Sequence, residues 1–335
     1  MSKLVAWAQW PDLNVPESVE LKSPANFPLD SSDLTQIEFY VPSYMGGATA
    51  LSYAAKMPNL KYLQMPNAGY DDALAYLRPG LTLCNASGVH DASTAELAVG
   101  LALASRRGFP EFIRDQIAGT WDHRRFTSLS DSKIGVIGFG SIGKQVVKNL
   151  SGFDVSVTSF SKSGRDGSVK IEELDKHLPN LDIVILILPL TDESRHMFNK
   201  ERLAKMKDGA LIVNVARGPI IETEALIAEL NSGRIYAALD VTDPEPLPAG
   251  HPLWKAKNLL LVPHVGGNST AFEPRGRKLV ESQLKLLAEG KSLNNIVAVG
   301  LLDRKIPALQ LEDGDFSYIK LLLDSVQTSC PRHEV

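Results

Sequence analysis

Apolar residues in this chain fall into short continuous runs that alternate with longer stretches of mixed polarity. Each run is rich in branched or aromatic residues and is closed by turn residues, so each predicts a strand. The runs begin at Lys3, Ile37, Leu60 and Leu81, then at Lys133, and afterwards at Val155, Asp182, Gly209, Tyr236 and Leu259. Continuous apolar strands are typical of parallel sheets buried on both faces, so we expect an α/β fold.

Two longer stretches predict helices. Residues 91–107 are rich in Ala and Leu and show no break of the kind that bounds the predicted strands, with Asp91 or Ser93 as the expected N-cap. Residues 269–289 follow the last predicted strand, and we expect this helix to lead the chain back to its first part. The extension at residues 303–335 carries one amphipathic patch, from Tyr318 to Val326, and both a packed helix and a loosely held tail fit it.

A glycine turn stands in the middle of the chain, where the run K-I-G-V-I-G-F-G-S-I-G-K begins at Lys133. Gly138 allows a tight turn, Gly140 lets the backbone approach a pyrophosphate, and Gly143 lets the following helix pack on the strand. Ser141 and Ile142 open that helix, whose N-terminal N–H groups attract phosphate. The motif predicts dinucleotide binding, and its mid-chain position predicts a separate unit before it.

Composition and charge exclude several other classes of protein. The chain has 335 residues, which suits two domains, and its hydrophobic and charged fractions of 44% and 22% are those of a globular protein. The net charge of −4 suggests neither a nucleic-acid nor a membrane partner. Cys84 and Cys330 form no disulfide framework and no metal-ligand spacing, so we expect no metal and a cytoplasmic location.

Ligands of open parallel sheets bind beyond the carboxyl ends of the strands, so residues that follow each predicted strand are candidate site residues. Besides the glycine turn, they are Ser161, Lys162 and Arg165 after the second strand of this half, then Pro189 and Thr191, then Val215, Ala216 and Arg217, then Asp240 and Glu245, and last His264, Gly266 and Gly267.

These side chains suit reduction of a carbonyl group. His264 is the expected acid that protonates the developing alkoxide, because histidine titrates near neutral pH. Glu245 would favour the charged imidazole and fix its ring. Arg217 can clamp a substrate carboxylate and polarise the carbonyl. Asp240 would suit the carboxamide of a nicotinamide ring.

The residues after the second strand bear on the choice between NAD and NADP. An acid at this strand end holds the ribose 2′-OH in NAD-specific sites, but here Asp154 and Asp166 are not well placed. Ser161, Lys162 and Arg165 instead offer a hydroxyl and two cations to a 2′-phosphate. We therefore expect NADP(H) to be preferred and NAD(H) to be possible, while a solvated basic loop is the alternative interpretation.

Several segments together resemble the D-isomer-specific 2-hydroxyacid dehydrogenases. They are N-V-A-R-G-P, A-L-D-V-T-D-P-E-P-L-P, H-P-L-W and V-P-H-V-G-G, with N-A-G-Y-D-D from Asn67 and N-A-S-G-V-H-D-A-S-T-A-E from Asn85. The resemblance covers about residues 40–300. It implies that Arg217, Glu245 and His264 are the catalytic arginine, acid and histidine, and that the amides of Ala68 and Gly69 help to hold the substrate carboxylate.

The resemblance also implies a fold and an assembly. Two Rossmann-like, doubly wound domains are expected, in which a flavodoxin-like substrate domain (residues 1–98 and 290–335) is interrupted by an NAD(P)-binding Rossmann domain (residues 99–289). A homodimer is implied as well. The extension after Leu302 has no counterpart in the family pattern.

The expected function is reduction of a small 2-oxo acid to a D-2-hydroxy acid, of the glyoxylate or hydroxypyruvate type. Two alternatives stay open: a dinucleotide-sensing binding protein of the same fold, and a dehydrogenase of another small donor such as formate or phosphite. Formate dehydrogenases resemble the chain less, because they carry glutamine where this sequence has Glu245.

Overall fold

The structure is a computed structural model that describes residues 3–300, so the expectation for the extension lies outside the described residues. In chain order the strands are β1 (Leu4–Trp7), β2 (Val19–Lys22), β3 (Phe39–Tyr40), β4 (Tyr62–Gln64), β5 (Thr82–Cys84), β6 (Lys133–Ile137), β7 (Ser156–Ser161), β8 (Val169–Lys170), β9 (Ile183–Leu186), β10 (Leu211–Asn214), β11 (Tyr236–Leu239), β12 (Leu259–Leu261) and β13 (Ile296–Val299).

The helices connect and cover these strands. The α-helices are α1 (Gly47–Ser52), α2 (Asp91–Arg106), α3 (Phe109–Ala118), α4 (Ser141–Leu150), α5 (Leu174–His177), α6 (Lys200–Ala204), α7 (Thr223–Asn231) and α8 (Phe272–Ala288). Short 3₁₀ helices lie at Leu34–Gln36, Tyr53–Lys56, Asp71–Tyr76, Ile171–Glu173, Leu178–Asn180, Gly218–Ile220 and Pro252–Lys255.

The strands form two sheets, each with a doubly wound order. The first sheet runs β2-β1-β3-β4-β5-β13, which is the flavodoxin order with β13 added antiparallel to β5. The second sheet runs β8-β7-β6-β9-β10-β11-β12 with every pair parallel, which contains the Rossmann order. The expected α/β fold with two such units is confirmed, and every predicted strand is present.

The second sheet is buried on both faces, as its continuous apolar strands predict. In β9, Ile183 and Ile185 pack in one core cluster with α2 and α4, whereas Val184 and Leu186 pack in the other with α6 and α7. Successive side chains of a strand point to opposite faces. An uninterrupted apolar run is therefore what a doubly covered strand requires.

Strands β2, β8 and β13 were not among the predicted ones. The sequence of β2, V-E-L-K, has only Val19 fully buried, because β2 is the edge strand of the first sheet. Strand β8 has two residues at the edge of the second sheet. Edge strands bury less apolar surface than central ones, so their sequence signal is weaker.

The predicted N-cap of α2 is wrong. The helix begins at Asp91, and the residue at the capping position is His90, whose side chain makes no capping hydrogen bond. Asp91 instead lies in the first turn, where a negative charge interacts favourably with the positive end of the helix dipole. Ser93 Oγ donates a hydrogen bond to the carbonyl of His90 at 3.1 Å.

Helix α8 returns to the first sheet. Phe272, Val280 and Leu284 are buried with side chains of that half of the molecule, and Gln283 Nε2 donates a hydrogen bond to Gln64 Oε1 at 2.8 Å. The expected domain boundaries, after residues 98 and 289, remain a prediction. None of the helices in residues 3–300 is long and apolar enough to cross a bilayer.

The contact between α4 and β6 predicts a stability effect. A Cβ at Gly143 would lie 2.1 Å from the carbonyl oxygen of Gly138, so the backbone must shift if Gly143 carries a methyl group. We expect Gly143→Ala to lower the free energy of unfolding by about 1–3 kcal/mol. Thermal melting of the cofactor-free protein measures this loss.

Gly152→Ala is the matched control, because nothing lies within 4 Å of a Cβ at that position. We expect the control to change the free energy of unfolding by less than about 0.5 kcal/mol. Equal melting temperatures for Gly143→Ala and the control would contradict the prediction.

Candidate active site

The glycine turn joins β6 to α4 in the geometry that a pyrophosphate requires. Gly138 has φ of 105° and approaches the carbonyl of Ile187, to which a Cβ would come within 2.4 Å. Gly140 is extended and α4 begins at Ser141, so the first amides of the helix have no partner within it. The first turn carries no acidic side chain. Shape and donors both fit a dinucleotide phosphate.

The next strand ends line the same edge of the sheet. The hydroxyl of Ser194 accepts a hydrogen bond from the amide of Thr191 at 2.7 Å and donates one to the carbonyl of Pro189 at 2.8 Å, which fixes the turn after β9. After β10, Val215 and Ala216 are buried. The backbone that leads to Arg217 is thereby held at the sheet.

The nucleotide corner consists of residues 161–166, from the last residue of β7 onward. Two of its side chains form ion pairs with residues elsewhere in the chain. Lys162 Nζ lies 2.9 Å from Glu193 Oε2, and Lys144 Nζ of α4 lies 2.5 Å from Asp166 Oδ2. The ion pair with Lys144 holds the pKa of Asp166 below its ordinary value. The sequence showed Asp166 beyond the turn, but it indicated neither the ion pair of Asp166 with Lys144 nor the presence of Glu193 here.

The other two candidates of this corner also have partners. The Ser161 hydroxyl lies 2.7 Å from Ser168 Oγ and accepts a hydrogen bond from the amide of Gly164. The carbonyl of Arg165 accepts a hydrogen bond from Ser168 Oγ at 2.6 Å. These bonds give the corner a fixed backbone shape.

His264 and Glu245, which are separated by 18 residues of chain, meet across two loops. His264 Nδ1 lies 2.5 Å from Glu245 Oε1. This hydrogen bond raises the pKa of His264 above its ordinary value, although burial acts in the opposite direction. Burial tends to raise the pKa of Glu245, but the contact with His264 holds it below its ordinary value. The pair therefore favours a charged imidazole beside a carboxylate.

Asp240 holds the turn in which His264 lies. The side chain is 2% exposed, and its two carboxylate oxygens accept hydrogen bonds from the amides of Val265 and Gly266 at 2.6 and 3.0 Å. The amide of His264 donates to the carbonyl of Asp240 at 2.7 Å. His264 itself has φ of 50°, a left-handed conformation that such bonds must maintain. Burial raises the pKa of Asp240.

Arg217 brings the two halves of the site together. Its guanidinium lies against Gly69, where a Cβ would come within 1.6 Å of Nη2. Its Nε lies 3.6 Å from Asp71 Oδ2, and its Nη1 donates to the carbonyl of Ala216 at 2.8 Å. Arg217 is also close to His264 and Glu245. Its charge opposes the rise in the pKa of His264 and contributes to the lowered pKa of Glu245. The cation, the imidazole and the glycine backbone thus share one cleft.

The backbone next to Arg217 touches the loop that carries Glu245. A Cβ at Gly218 would lie 1.9 Å from the carbonyl oxygen of Thr242, so only glycine permits this approach. On the opposite side, Asn85 Nδ2 donates to the carbonyl of Ala68 at 2.8 Å, which orients the segment 68–69. Close backbone packing therefore sets the distance between the loop with Arg217 and the loop with Glu245, and a hydrogen bond orients segment 68–69.

Gly266 and Gly267 meet residues from the first half of the chain. A Cβ at Gly267 would lie 2.7 Å from His90 Nδ1 and 3.0 Å from the hydroxyl of Tyr44. His90 Nε2 lies 2.8 Å from the carbonyl oxygen of Pro66, immediately before the segment with Ala68 and Gly69. His90 is thus a contact between the two halves, which the sequence did not indicate.

The structure brings the sequence-derived candidates to one edge and adds others. Asp71 was detectable, because it lies two residues beyond Gly69 in a segment already singled out. Glu193 and Asp166 pair with lysines 31 and 22 residues away, and no local pattern indicates such contacts. Within residues 3–300, no group of three or more His, Cys, Asp or Glu side chains could hold a metal ion.

Comparison with known proteins agrees with this geometry. Residues 99–266 match the family model of the D-isomer specific 2-hydroxyacid dehydrogenase, NAD binding domain. The chain is 36% identical to a glyoxylate reductase of Thermofilum pendens over 249 residues, which covers 70% of this chain and 74% of that protein. It is also 36% identical to a hydroxypyruvate reductase of Thermotoga maritima over 240 residues, which covers 68% of this chain and 78% of that one.

A solved structure has the same fold over most of the chain. A D-isomer specific 2-hydroxyacid dehydrogenase of Xanthobacter autotrophicus, in complex with NADPH and MES, superposes with a TM-score of 0.71 at 26% identity, covering 89% of this chain and 98% of that one. The chain therefore belongs to the D-isomer-specific 2-hydroxyacid dehydrogenase family and is an NAD(P)-dependent D-2-hydroxyacid dehydrogenase.

Proposed function

We propose that the protein reduces a small 2-oxo acid of the glyoxylate or hydroxypyruvate type to the corresponding D-2-hydroxy acid, with NADPH preferred. One observation carries this proposal. His264, whose pKa is raised by its hydrogen bond to Glu245, lies in the same cleft as Arg217, which in turn lies against the Gly69 backbone. The names of the Thermofilum and Thermotoga relatives support the substrate class.

The proposed roles follow from charge and position. Arg217 and the amides of Ala68 and Gly69 bind the substrate carboxylate, and the guanidinium polarises the neighbouring carbonyl. When bound, the reduced nicotinamide supplies a hydride to the carbonyl carbon. His264 gives its proton to the carbonyl oxygen, and Glu245 stabilises the charged ring before this transfer and orients it.

The cofactor is proposed to lie along the carboxyl edge of the second sheet. Its pyrophosphate would bind at the turn with Gly138, Gly140, Ser141, Ile142 and Gly143, and the remaining contacts would come from the strand ends already described, namely Pro189, Thr191, Val215, Ala216, Asp240, Gly266 and Gly267. Ser161, Lys162 and Arg165 are proposed to bind the 2′-phosphate. The NADPH complex of the Xanthobacter neighbour supports this preference.

We also propose that the protein is a homodimer whose interface includes α3. Large apolar side chains are exposed on this helix and just beyond it, at Phe109, Phe112, Ile113, Ile117 and Trp121. Ile117 is 83% exposed and Trp121 is 97% exposed. Large exposed apolar surfaces are uncommon on monomeric proteins and usually mark a site of interaction with another protein.

The activity is tested directly with purified protein. We expect NADPH oxidation with glyoxylate or hydroxypyruvate to be faster than with pyruvate, phenylpyruvate or 3-phosphohydroxypyruvate, and slower when NADH replaces NADPH. His264→Gln is expected to lower kcat by about 10²–10⁴-fold, because the proton donor is lost, and to leave NADPH affinity unchanged. Absorbance at 340 nm and cofactor fluorescence provide the two measurements.

His177→Gln is the matched control, since this histidine lies on α5 with its ring edge against Phe160. A preference for 3-phosphohydroxypyruvate would contradict the proposed substrate class, and undiminished turnover in His264→Gln would contradict the role of His264. Cofactor binding without turnover on any 2-oxo acid would favour a sensing protein.

The pH dependence of reduction tests the role of Glu245. Only protonated His264 donates a proton, so kcat/KM for reduction should fall as the pH rises through the pKa of His264. Glu245 raises that pKa. In Glu245→Gln the pKa should return toward its ordinary value, and the fall in kcat/KM should move to lower pH.

The control for this measurement is Glu201→Gln at the start of α6, which should keep the wild-type profile. An unchanged pH at half-maximal kcat/KM in Glu245→Gln would show that Glu245 does not set the protonation of His264.

The assembly is tested by Ile117→Glu, which places a charge on the exposed face of α3. We expect the wild-type mass from light scattering to be that of two chains, and the variant mass to fall to one chain, because burying an unpaired carboxylate opposes association. Phe153→Glu, at a side chain 37% exposed, is the control and should stay dimeric. A monomeric wild-type protein, or a dimeric Ile117→Glu variant, would contradict the proposal.

A further inference from the structure

The ion pair between Lys162 and Glu193 spans the two loops that flank the glycine turn. In the second sheet β7 and β9 are the neighbours of β6, so the loops after β7 and β9 lie on either side of the turn after β6. Lys162 belongs to the first loop and Glu193 to the second. Lys162 Nζ is 2.9 and 3.2 Å from the two carboxylate oxygens of Glu193, so both oxygens contact the ammonium group.

This lysine stands where the two nicotinamide dinucleotides differ. In Rossmann sites the residues after the second strand contact the adenosine ribose, which carries a 2′-OH in NAD and a 2′-phosphate in NADP. Lys162 is the residue directly after β7, the second strand of this sheet. A 2′-phosphate that binds Lys162 must therefore compete with the Glu193 carboxylate for the same ammonium group.

The ion pair is accessible and can exchange partners. The side chains of Lys162 and Glu193 are 50% and 61% exposed. Exposed ion pairs contribute little to folding stability, so rearrangement of this one costs little. A phosphate monoester carries more negative charge than a carboxylate and accepts hydrogen bonds through three oxygens, so it can replace Glu193 as a partner of Lys162. Glu193 nevertheless remains nearby as a like charge.

We propose that Glu193 is a specificity-determining residue, which restrains the preference of this enzyme for NADP(H) over NAD(H) by binding Lys162 and by repelling the 2′-phosphate. The inference rests on the proposed use of Lys162 in cofactor binding. It assigns to Glu193 the function of limiting the affinity for NADP(H), so that NAD(H) can compete for a corner that also carries Arg165. NAD, which has no 2′-phosphate, leaves the ion pair in place.

Cofactor affinities of four proteins test this assignment. Dissociation constants for NADP⁺ and NAD⁺ are measured by calorimetry for the wild type, Glu193→Gln, Lys162→Gln and the double variant. Glu193→Gln should bind NADP⁺ about three- to tenfold more tightly, with less than about a twofold change for NAD⁺, since one negative charge is removed near the phosphate. Lys162→Gln should weaken NADP⁺ binding. In the Lys162→Gln background the gain from Glu193→Gln should be smaller, because competition for the ammonium group is then absent and only the repulsion of the phosphate remains.

Two comparisons make the measurement specific. Glu289→Gln removes an equivalent exposed carboxylate, which pairs with Lys291 at 2.8 Å beyond the end of α8, and should leave both dissociation constants unchanged. Raising the salt concentration should reduce the NADP⁺ gain of Glu193→Gln, because screening weakens the repulsion that the substitution removes.

The outcomes separate this inference from the proposed cofactor preference. If the wild type prefers NADP⁺ and Glu193→Gln leaves the ratio of the two dissociation constants unchanged, the inference is overturned and the preference stands. If the wild type prefers NAD⁺ and Glu193→Gln shifts the ratio toward NADP⁺, the inference stands and the preference is wrong. A gain of undiminished size in the Lys162→Gln background overturns the inference, because Lys162 is then not the cation that Glu193 controls.

Discussion

The candidate active site of this enzyme depends on the buried carboxylate of Asp240. A carboxylate that is 2% exposed is costly unless hydrogen bonds replace its water, and here the amides of Val265 and Gly266 do so. Those two bonds tie the end of β11 to the turn after β12. They hold His264 at a φ of 50°, which a non-glycine residue rarely adopts without such support. The position of the imidazole relative to Glu245 follows from this anchor.

The substrate side of the cleft is positioned by equally close contacts. Arg217 lies against Gly69, so a side chain at Gly69 would displace the guanidinium. Gly218 lies against the backbone of Thr242, so a side chain at Gly218 would displace that loop. His90 contacts the carbonyl of Pro66, and its ring stacks with Phe272 at a centroid distance of 5.3 Å. The loops that would bind substrate and the loop that carries the proposed proton donor therefore have a fixed separation, which suits a reaction that requires close placement of a small molecule.

Most of the fold could be predicted, because the buried strands of the second sheet carry an unambiguous apolar signal. The edge strands β2 and β8 could not, since they bury few side chains. The sequence predicts Asp91 or Ser93 as the N-cap of α2, because both side chains can accept a hydrogen bond from a free helix amide. The helix instead begins after His90, whose side chain packs between the two halves of the molecule. At the nucleotide corner the sequence showed the cations and Asp166, but it did not indicate Glu193 or which cation each carboxylate binds.

The sequence by itself determined the α/β class, the glycine turn and which candidate side chains follow the strands at one edge of the sheet. It could do so because strand periodicity is local and because the carboxyl ends of parallel strands necessarily share one edge. Only the tertiary structure decided how these side chains pair: His264 with Glu245, Arg217 with Gly69 and Asp71, and Lys162 with Glu193. Pairing depends on distances between loops that are far apart in the chain, and these distances are set by how the elements pack rather than by any local pattern.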